Sequence, residues 1–408
     1  MSQTPRITID TPIRFSDPLP EAVDTVIIGG GVIGTFAALY LSEAGQKVLL
    51  CEKGRVAGEQ STRDWGCNRQ QGRDKDELTV MMQALGLWHE VNERTRDGCG
   101  VRTVGVNYLT TSPEEMERFE EWVGIARAHG LHSELMTQDQ IDESFSGQSD
   151  RRWIGGVRTP SDACGEPWTA VPAVAGLAQR AGALIRENCA VRRLERGAGR
   201  VRAVLTEAGR VGCEQVILAG GAWSSLFLRA HGTRIPQLSV RASVVQTAPM
   251  PCFTEANMAD EELALRRRAD GGYSLALGDR HGFYLGPDAF RHFRRYWPQI
   301  RQTFDHTDFT AFAPRGFPDG WRTPRNWRAE DITPFERQRV LEPEPDDFYV
   351  AQMIGRFAER FPEIGAPVPL SAWAGMIDAM PDAVPIVDRA QGLDGLIVAT
   401  GMSGHGFG

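Results

Sequence analysis

The ordered pattern of the chain begins at residues 24–29, Asp-Thr-Val-Ile-Ile-Gly, a short β-branched apolar run of the kind a buried parallel strand uses. Behind it, residues 32–44 place Ile33, Phe36, Ala37, Tyr40, Leu41 and Ala44 at helical spacing, with Gly45 as a stop. A second apolar run, 48–51, closes on Glu52. Helical spacing returns over 76–96, and 101–109 reads as a strand. Ser112-Pro113-Glu114-Glu115 predicts a capped helix reaching His129 and ending at Gly130. Thr137 caps a short helix over 138–143, and 168–180 predicts another, stopped by Gly182.

Strand-like runs follow at 190–195, 200–207 and 209–219, then at 239–247, 263–268 and 272–277, where arginines alternate with apolar residues. Residues 296–347 are rich in Pro, Arg and aromatics with little periodicity. They predict an irregular excursion with one or two short helices, serving as a lid or as a contact surface. A helix over 347–360 and strands at 370–377, 386–388 and 396–400 complete the pattern. The last strand runs into a glycine-rich turn. Because such turns open helices, a final helix is expected beyond residue 408.

The first unit carries chemistry in its glycines. Gly29 permits the tight turn, Gly31 lets backbone approach a pyrophosphate, and Gly34 lets helix and strand pack closely. The helix N-terminus behind them offers free N–H groups and positive potential to phosphates. Glu52, at the end of the second strand, can accept hydrogen bonds from ribose hydroxyls and would repel a 2′-phosphate, which disfavours NADP. The bland alternative is a glycine-rich turn with no ligand. A strand before, a helix after and an acid at the end of a unit of roughly thirty residues give the fingerprint its specificity.

Composition narrows the class. At 408 residues the chain exceeds what one core usually supports, so two domains are expected. A net charge of −8 gives no electrostatic reason for nucleic acid as a partner. Residues 1–22 read as an extended, Pro-bearing lead-in, residues 1–20 lack the pattern of a secretory signal, and no apolar run approaches a membrane span. Seven cysteines without CxxC spacing suggest reduced thiols and a cytoplasmic setting; Cys99 and Cys164 read as reactive or as buried structural thiols. The sequence offers no Ser/His/Asp set and no metal cluster.

Five stretches in order resemble the D-amino-acid oxidase / sarcosine oxidase family of FAD-dependent amine oxidoreductases: 26–34, 61–66 (Ser-Thr-Arg-Asp-Trp-Gly), 216–224, 373–382 and 399–407. The resemblance implies an α/β fold, with a Rossmann-like FAD-binding domain (22–100, 155–235 and 366–408). A second, α+β domain (101–154 and 236–365) would be built on a mixed, largely antiparallel sheet. It implies cofactor contacts at Gly29, Gly31, Val32, Ile33, Gly34, Glu52 and Lys53, and at Ser61, Thr62, Arg63, Trp65 and Gly66. Further contacts are implied at Val191, Ala219, Gly220, Trp223, Gly375 and Met376, and in the turn of Gly401, Met402, Ser403, Gly404, His405 and Gly406. Within that turn His405 is expected to pack near the flavin rather than act as a base.

Where relatives carry a flavin-linked cysteine this chain has Gly375, which implies non-covalent FAD. Ala276 stands where a lysine is associated with oxygen activation, and Gly408 where another lysine binds substrate. These departures favour a dehydrogenase passing electrons to a quinone, a partner subunit or O2, with hetero-oligomer or peripheral membrane contact as possible settings. Arg69 is the first candidate to clamp a substrate carboxylate, with Arg73 second. Arg266 to Arg268, Arg268 foremost, either line a pocket or form a solvated charge run. Tyr273, His281 and Tyr284 are candidate pocket donors, and Asp378 either orients an arginine or caps a turn. The implied reaction is oxidation of the C–N bond of a D-amino acid, N-alkyl amino acid or opine-like amine. Its alternatives are C–O oxidation of a hydroxy acid or glycerol phosphate, and a FAD-bearing subunit of an electron-transfer complex.

Overall fold

A computed structural model describes residues 6–146, 152–278 and 280–407, so Gly408 and part of the expected second domain lie outside the described residues. The apolar runs become a sheet whose central strands are buried. Ala22–Ile28 lies between Gly209–Leu218 and Val48–Cys51, all parallel, and Leu184–Arg186 continues beyond Val48–Cys51. Leu396–Thr400 adds in parallel to the end of Gly209–Leu218, and the hairpin strands Val191–Gly197 and Arg200–Thr206 complete the other edge together with Ile386–Arg389. Both faces of the central strands are covered, which is why Val26, Ile27, Leu49, Leu50 and Val216 are wholly buried and the runs show no polar alternation. Helices Val32–Glu43 and Pro167–Arg180 supply apolar residues to one of these layers.

Among the described residues the second sheet has ten strands and is mixed but largely antiparallel, with parallel pairing only at Asn257–Ala259 on Val106–Thr110 and at His281–Tyr284 on Thr307–Thr310. Its longest seam joins Leu238–Thr247 to Pro369–Ala379. Helix Asp347–Arg360 packs Tyr349, Met353 and Phe357 into the core behind it.

Several boundaries differ from the sequence expectation. Gly155–Thr159 and Pro369–Ala379 were expected in the cofactor domain, but they hydrogen-bond into the second sheet. The expected strand 101–109 is broken at Gly105, whose φ of +78° interrupts the extended backbone. Its first part, Arg102–Thr103, joins a small sheet with Cys67–Asn68 and Ala163–Cys164, and Val106–Thr110 enters the large one. The excursion is more ordered than expected: its first residues belong to the helix Pro287–Thr303, followed by strand Thr307–Thr310. Of its tryptophans, Trp327 is core, donating from Nε1 to the Arg192 carbonyl at 2.8 Å. Trp297 and Trp321 remain about half exposed.

Candidate functional site

A cleft of about 1230 Å3, open solvent at its mouth included, runs along the carboxyl ends of the parallel strands. Its wall brings together Gly29, Gly31, Val32, Ile33, Glu52, Lys53, Ser61, Val191, Ala219, Gly220, Trp223, Met376, Met402, Gly404 and Gly406, residues more than 370 positions apart in the extreme. Parallel pairing is the reason: it ends Ala22–Ile28, Val48–Cys51, Gly209–Leu218 and Leu396–Thr400 side by side at one edge.

The geometry of the turn is tight. Gly29 has φ +111°, and a Cβ there would meet the Ala219 carbonyl oxygen at 2.4 Å. A Cβ on Gly34 would lie 1.9 Å from the Gly29 oxygen, so helix and turn touch backbone to backbone. The first turn of Val32–Glu43 leaves N–H groups without intrahelical acceptors, and Val32 N–H donates to Ser61 Oγ at 2.9 Å. Glu52 accepts from Gly30 N–H and Gly54 N–H, each at 2.7 Å. Burial outweighs the nearby Lys53 charge and those bonds, and raises its carboxyl to about 7. Lys53 is a staple: its Nζ donates to Glu59 and to the carbonyls of Gln338 and Arg339, and it stands 4.5 Å over the Trp223 ring.

Other expected contacts turn away from the cleft. Thr62 donates to the Ala57 carbonyl, Arg63 to Ile7 and Glu342, and the Trp65 carbonyl accepts from Arg266. The short helix Gln60–Arg63 explains this, since only its first side chains can face inward. Gly66 and Gly375 serve close packing: a Cβ would strike Gly165 O at 2.5 Å in one case and Gln60 Oε1 at 2.3 Å in the other. Gly401 and Ser403 take positive φ and shape the turn from within, where Ser403 Oγ accepts from Met380 N–H. Sequence reasoning missed Glu59, Gln60, Asp64 and Phe335 in the wall. They lie between the strand Val48–Cys51 and the helix Lys75–Arg94 or in the excursion, where no periodic signal says which side chains point inward.

Of the candidate substrate residues, Asp378 lines the cleft as a cap, accepting from Gly401 N–H at 2.6 Å, Met402 N–H and Thr400 Oγ1. Arg268 is corrected to a core residue: it is buried and held by Asp270 and by the carbonyls of Tyr273 and Thr247. Tyr273 likewise is buried against Phe253, and its hydroxyl donates to Thr254 O. Tyr284 packs on Phe317 and meets Arg241, while His281 pairs in register with Thr307; neither is in the cleft wall. Arg266, fully buried, forms a two-bonded pair with Glu166. Alternation did turn these arginines inward, but towards carboxylates of the protein.

Arg69 is placed differently. It lies beside the Tyr108 ring (5.4 Å), donates to the Gln71 carbonyl, and has no carboxylate within 4.0 Å among the described residues. Arg73 is buried next to it. His405, in the glycine turn, has its Nδ1 3.4 Å from Glu77 Oε2. Burial, Arg73 and Arg69 push its imidazole down to about 3, so it is neutral.

This architecture, with a fingerprint turn at the carboxyl edge of a parallel sheet, defines a dinucleotide-binding protein. Residues 24–408 match the DAO family of FAD-dependent oxidoreductases, and the chain belongs to that family. It is 28% identical over 260 residues to 4-methylaminobutanoate oxidase (formaldehyde-forming) of Paenarthrobacter nicotinovorans, covering 64% of this chain and 31% of the relative. It is 23% identical over 397 residues to human mitochondrial dimethylglycine dehydrogenase, covering 97% of this chain and 42% of the relative. The chain thus spans less than half the length of these curated relatives. In fold it is similar to the L-amino acid deaminase of Proteus myxofaciens solved with anthranilate (TM-score 0.91, 24% identity, 98% of this chain and 90% of that one).

The residues present fit FAD. The positive-φ turn leaves backbone, not side chain, facing the cleft, and Gln60 Oε1, a buried wall atom, has no partner within the protein. No helix among the described residues is long and apolar enough to cross a membrane.

Proposed function

We propose that this chain oxidises the C–N bond of a carboxylated amine: an amino acid, N-alkyl amino acid or opine-like secondary amine. The observation that carries the reading is the pair of neighbouring arginines, Arg69 and Arg73, close enough to His405 of the glycine turn to shift it and in no ion pair with a carboxylate among the described residues. FAD, bound non-covalently, would supply a hydride acceptor for the carbon that bears the nitrogen. Gly29 to Gly34 and the helix behind them would hold its diphosphate and Glu52 its ribose, while Asp378 keeps the turn of Gly401 and Met402 in shape. Arg69 grips the substrate carboxylate with a fork of donors, and the Tyr108 ring fixes the plane of that fork. Orientation and exclusion of water then do most of the work, and the imine product hydrolyses. Relatives whose names specify N-methyl amines and amino acids support this class.

The test is an anaerobic screen in which loss of the yellow flavin absorbance is followed on adding amino acids, N-methyl amino acids and matched hydroxy acids. Bleaching by an amine supports the reading; bleaching by hydroxy acids alone replaces it with C–O oxidation. Arg69→Ala lowers kcat/KM by about tenfold or more through loss of one charge-assisted bond, and an unchanged value removes Arg69 from the clamp.

A further inference from the structure

Six arginines are buried among the described residues: Arg55, Arg63, Arg73, Arg266, Arg268 and Arg360. Four have a carboxylate partner, Glu342, Glu166, Asp270 and Asp260 respectively for Arg63, Arg266, Arg268 and Arg360. Arg55 is held by the carbonyls of Ile9, Thr11 and Gly54 and by the Asn188 amide oxygen. Arg73 is the exception. Only 7% exposed, it donates one bond, from Nε to the Arg69 carbonyl at 3.3 Å, and its Nη1 has no acceptor. A buried guanidinium without an anion is a costly arrangement, and a ligand anion would relieve it.

A second orphan donor lies close by. Trp122 is 8% exposed and its Nε1–H has no partner. A Cβ placed on Gly72 would lie 3.2 Å from Arg69 Nη1, 3.5 Å from Trp122 Nε1 and 3.7 Å from the Tyr108 ring, so these groups converge on the Gly72 backbone. The nearest acidic groups, Asp162, Glu77 and Asp64, make no ion pair with Arg69 or Arg73 among the described residues. Asp162 is taken up by the N–H groups of Gln70 and Gln71 and by the Gln70 side chain. Burial raises the Glu77 carboxyl, while the Arg73 and Arg69 charges lower it. Arg69 and Arg73 are thus two adjacent guanidiniums without an ion-paired carboxylate, a pattern that a ligand with two carboxylates would match.

We propose that Arg73 and Trp122 form a second anion position beside Arg69, and that the preferred substrate is an amine carrying two carboxylates. This rests on the amine-oxidising reading for the identity of the substrate, but the anion position itself does not. The experiment measures binding of acetate, malonate, succinate and glutarate to the flavin-loaded protein by calorimetry, in wild type, Arg73→Met and Trp122→Phe. In wild type the best dicarboxylate binds at least tenfold more tightly than acetate. Arg73→Met erases that ratio, and Trp122→Phe, which removes the N–H donor and keeps an aromatic ring, reduces it severalfold.

A parallel measurement compares kcat/KM for N-methylglycine and N-(carboxymethyl)glycine, in which the same amine gains one carboxylate. The second is preferred at least tenfold, and the preference falls in Arg73→Met. Acetate and all three dicarboxylates binding within threefold of one another overturns the proposal. So does a preference that neither variant alters, or a loss in Arg73→Met that is equal for one and two carboxylates. If Arg73→Met fails to fold, Trp122→Phe decides. Failure of every amine to bleach the flavin sinks the amine reading alone, because the calorimetric ratio still judges the anion position.

Discussion

Gly29 combines a left-handed backbone with a carbonyl oxygen where its Cβ would be. Gly29→Ala therefore meets both conformational strain and a clash, and is expected to lower stability by about 1–3 kcal/mol and to reduce flavin content on purification. Unchanged melting and stoichiometric flavin would contradict this. Glu52 makes a pH-dependent statement. Its carboxyl is raised from 4.5 to about 7 in the folded chain, mainly by burial, so the folded state holds a proton that the unfolded state has already lost. The resulting stabilisation is complete below about pH 4.5 and is lost as pH rises through about 7, an effect of up to ~3 kcal/mol. In protein stripped of flavin, Glu52→Gln flattens the fall of the unfolding free energy between those pH values; parallel curves for the two proteins would refute it. Residue identity was legible here: the three glycines and Glu52 announce themselves by spacing. The orphaned donors of Arg73 and Trp122 do not, since nothing in a sequence says which arginine lacks a carboxylate.

At the scale of elements, caps and periodicity carried most of the reading. Ser112 accepts from Glu115 N–H, Thr137 closes a capping box with Gln140, and both helices start where the cap places them. The helix Pro287–Thr303 was harder to see because Pro298 lies inside it and its four Phe, Tyr and Trp residues are spaced among arginines, three of the four exposed. The four-residue helix Pro334–Arg337 matters out of proportion to its length. Thr333 and Glu336 form its capping box, Glu336 also pairs with Arg192 at 2.6 Å, and Phe335 is carried into the cleft wall. Thr333→Ala should cost about 1 kcal/mol and weaken flavin retention together with it. A variant that melts earlier yet holds flavin as tightly as wild type would separate Phe335 from the cofactor.

For the whole molecule, the cleft is a stability device as well as a site. Its walls come from strands joined only through the sheet, so a ligand that fills it binds the folded state alone. Added FAD at one hundred times its dissociation constant should stabilise the protein by about 2.7 kcal/mol, read as a rise in melting temperature; no rise would deny the cleft its ligand. The second sheet is tied to this layer at specific points. Trp373 Nε1 donates to the Arg63 carbonyl at 3.1 Å, and Asp378, at the end of the seam strand, caps the last turn. The strand Pro369–Ala379 therefore ties the second sheet to the cleft, although the sequence places it with the cofactor segments.

What the sequence by itself determined is local: the fingerprint turn, the run lengths of buried strands, the helix caps and the class of cofactor, all set by residue type at short spacing. Which arginines are spent on Glu166, Asp260 and Asp270 and which have no ion-paired carboxylate among the described residues was decided by tertiary structure. The same holds for the entry of Phe335 and the loss of Arg63 and Tyr273 to packing. The physical reason is that partners here can be a hundred residues apart, as Arg266 and Glu166 or Arg360 and Asp260 are, as well as two apart, as Arg268 and Asp270 are, and burial, which fixes the need for a partner, exists only once the layers close.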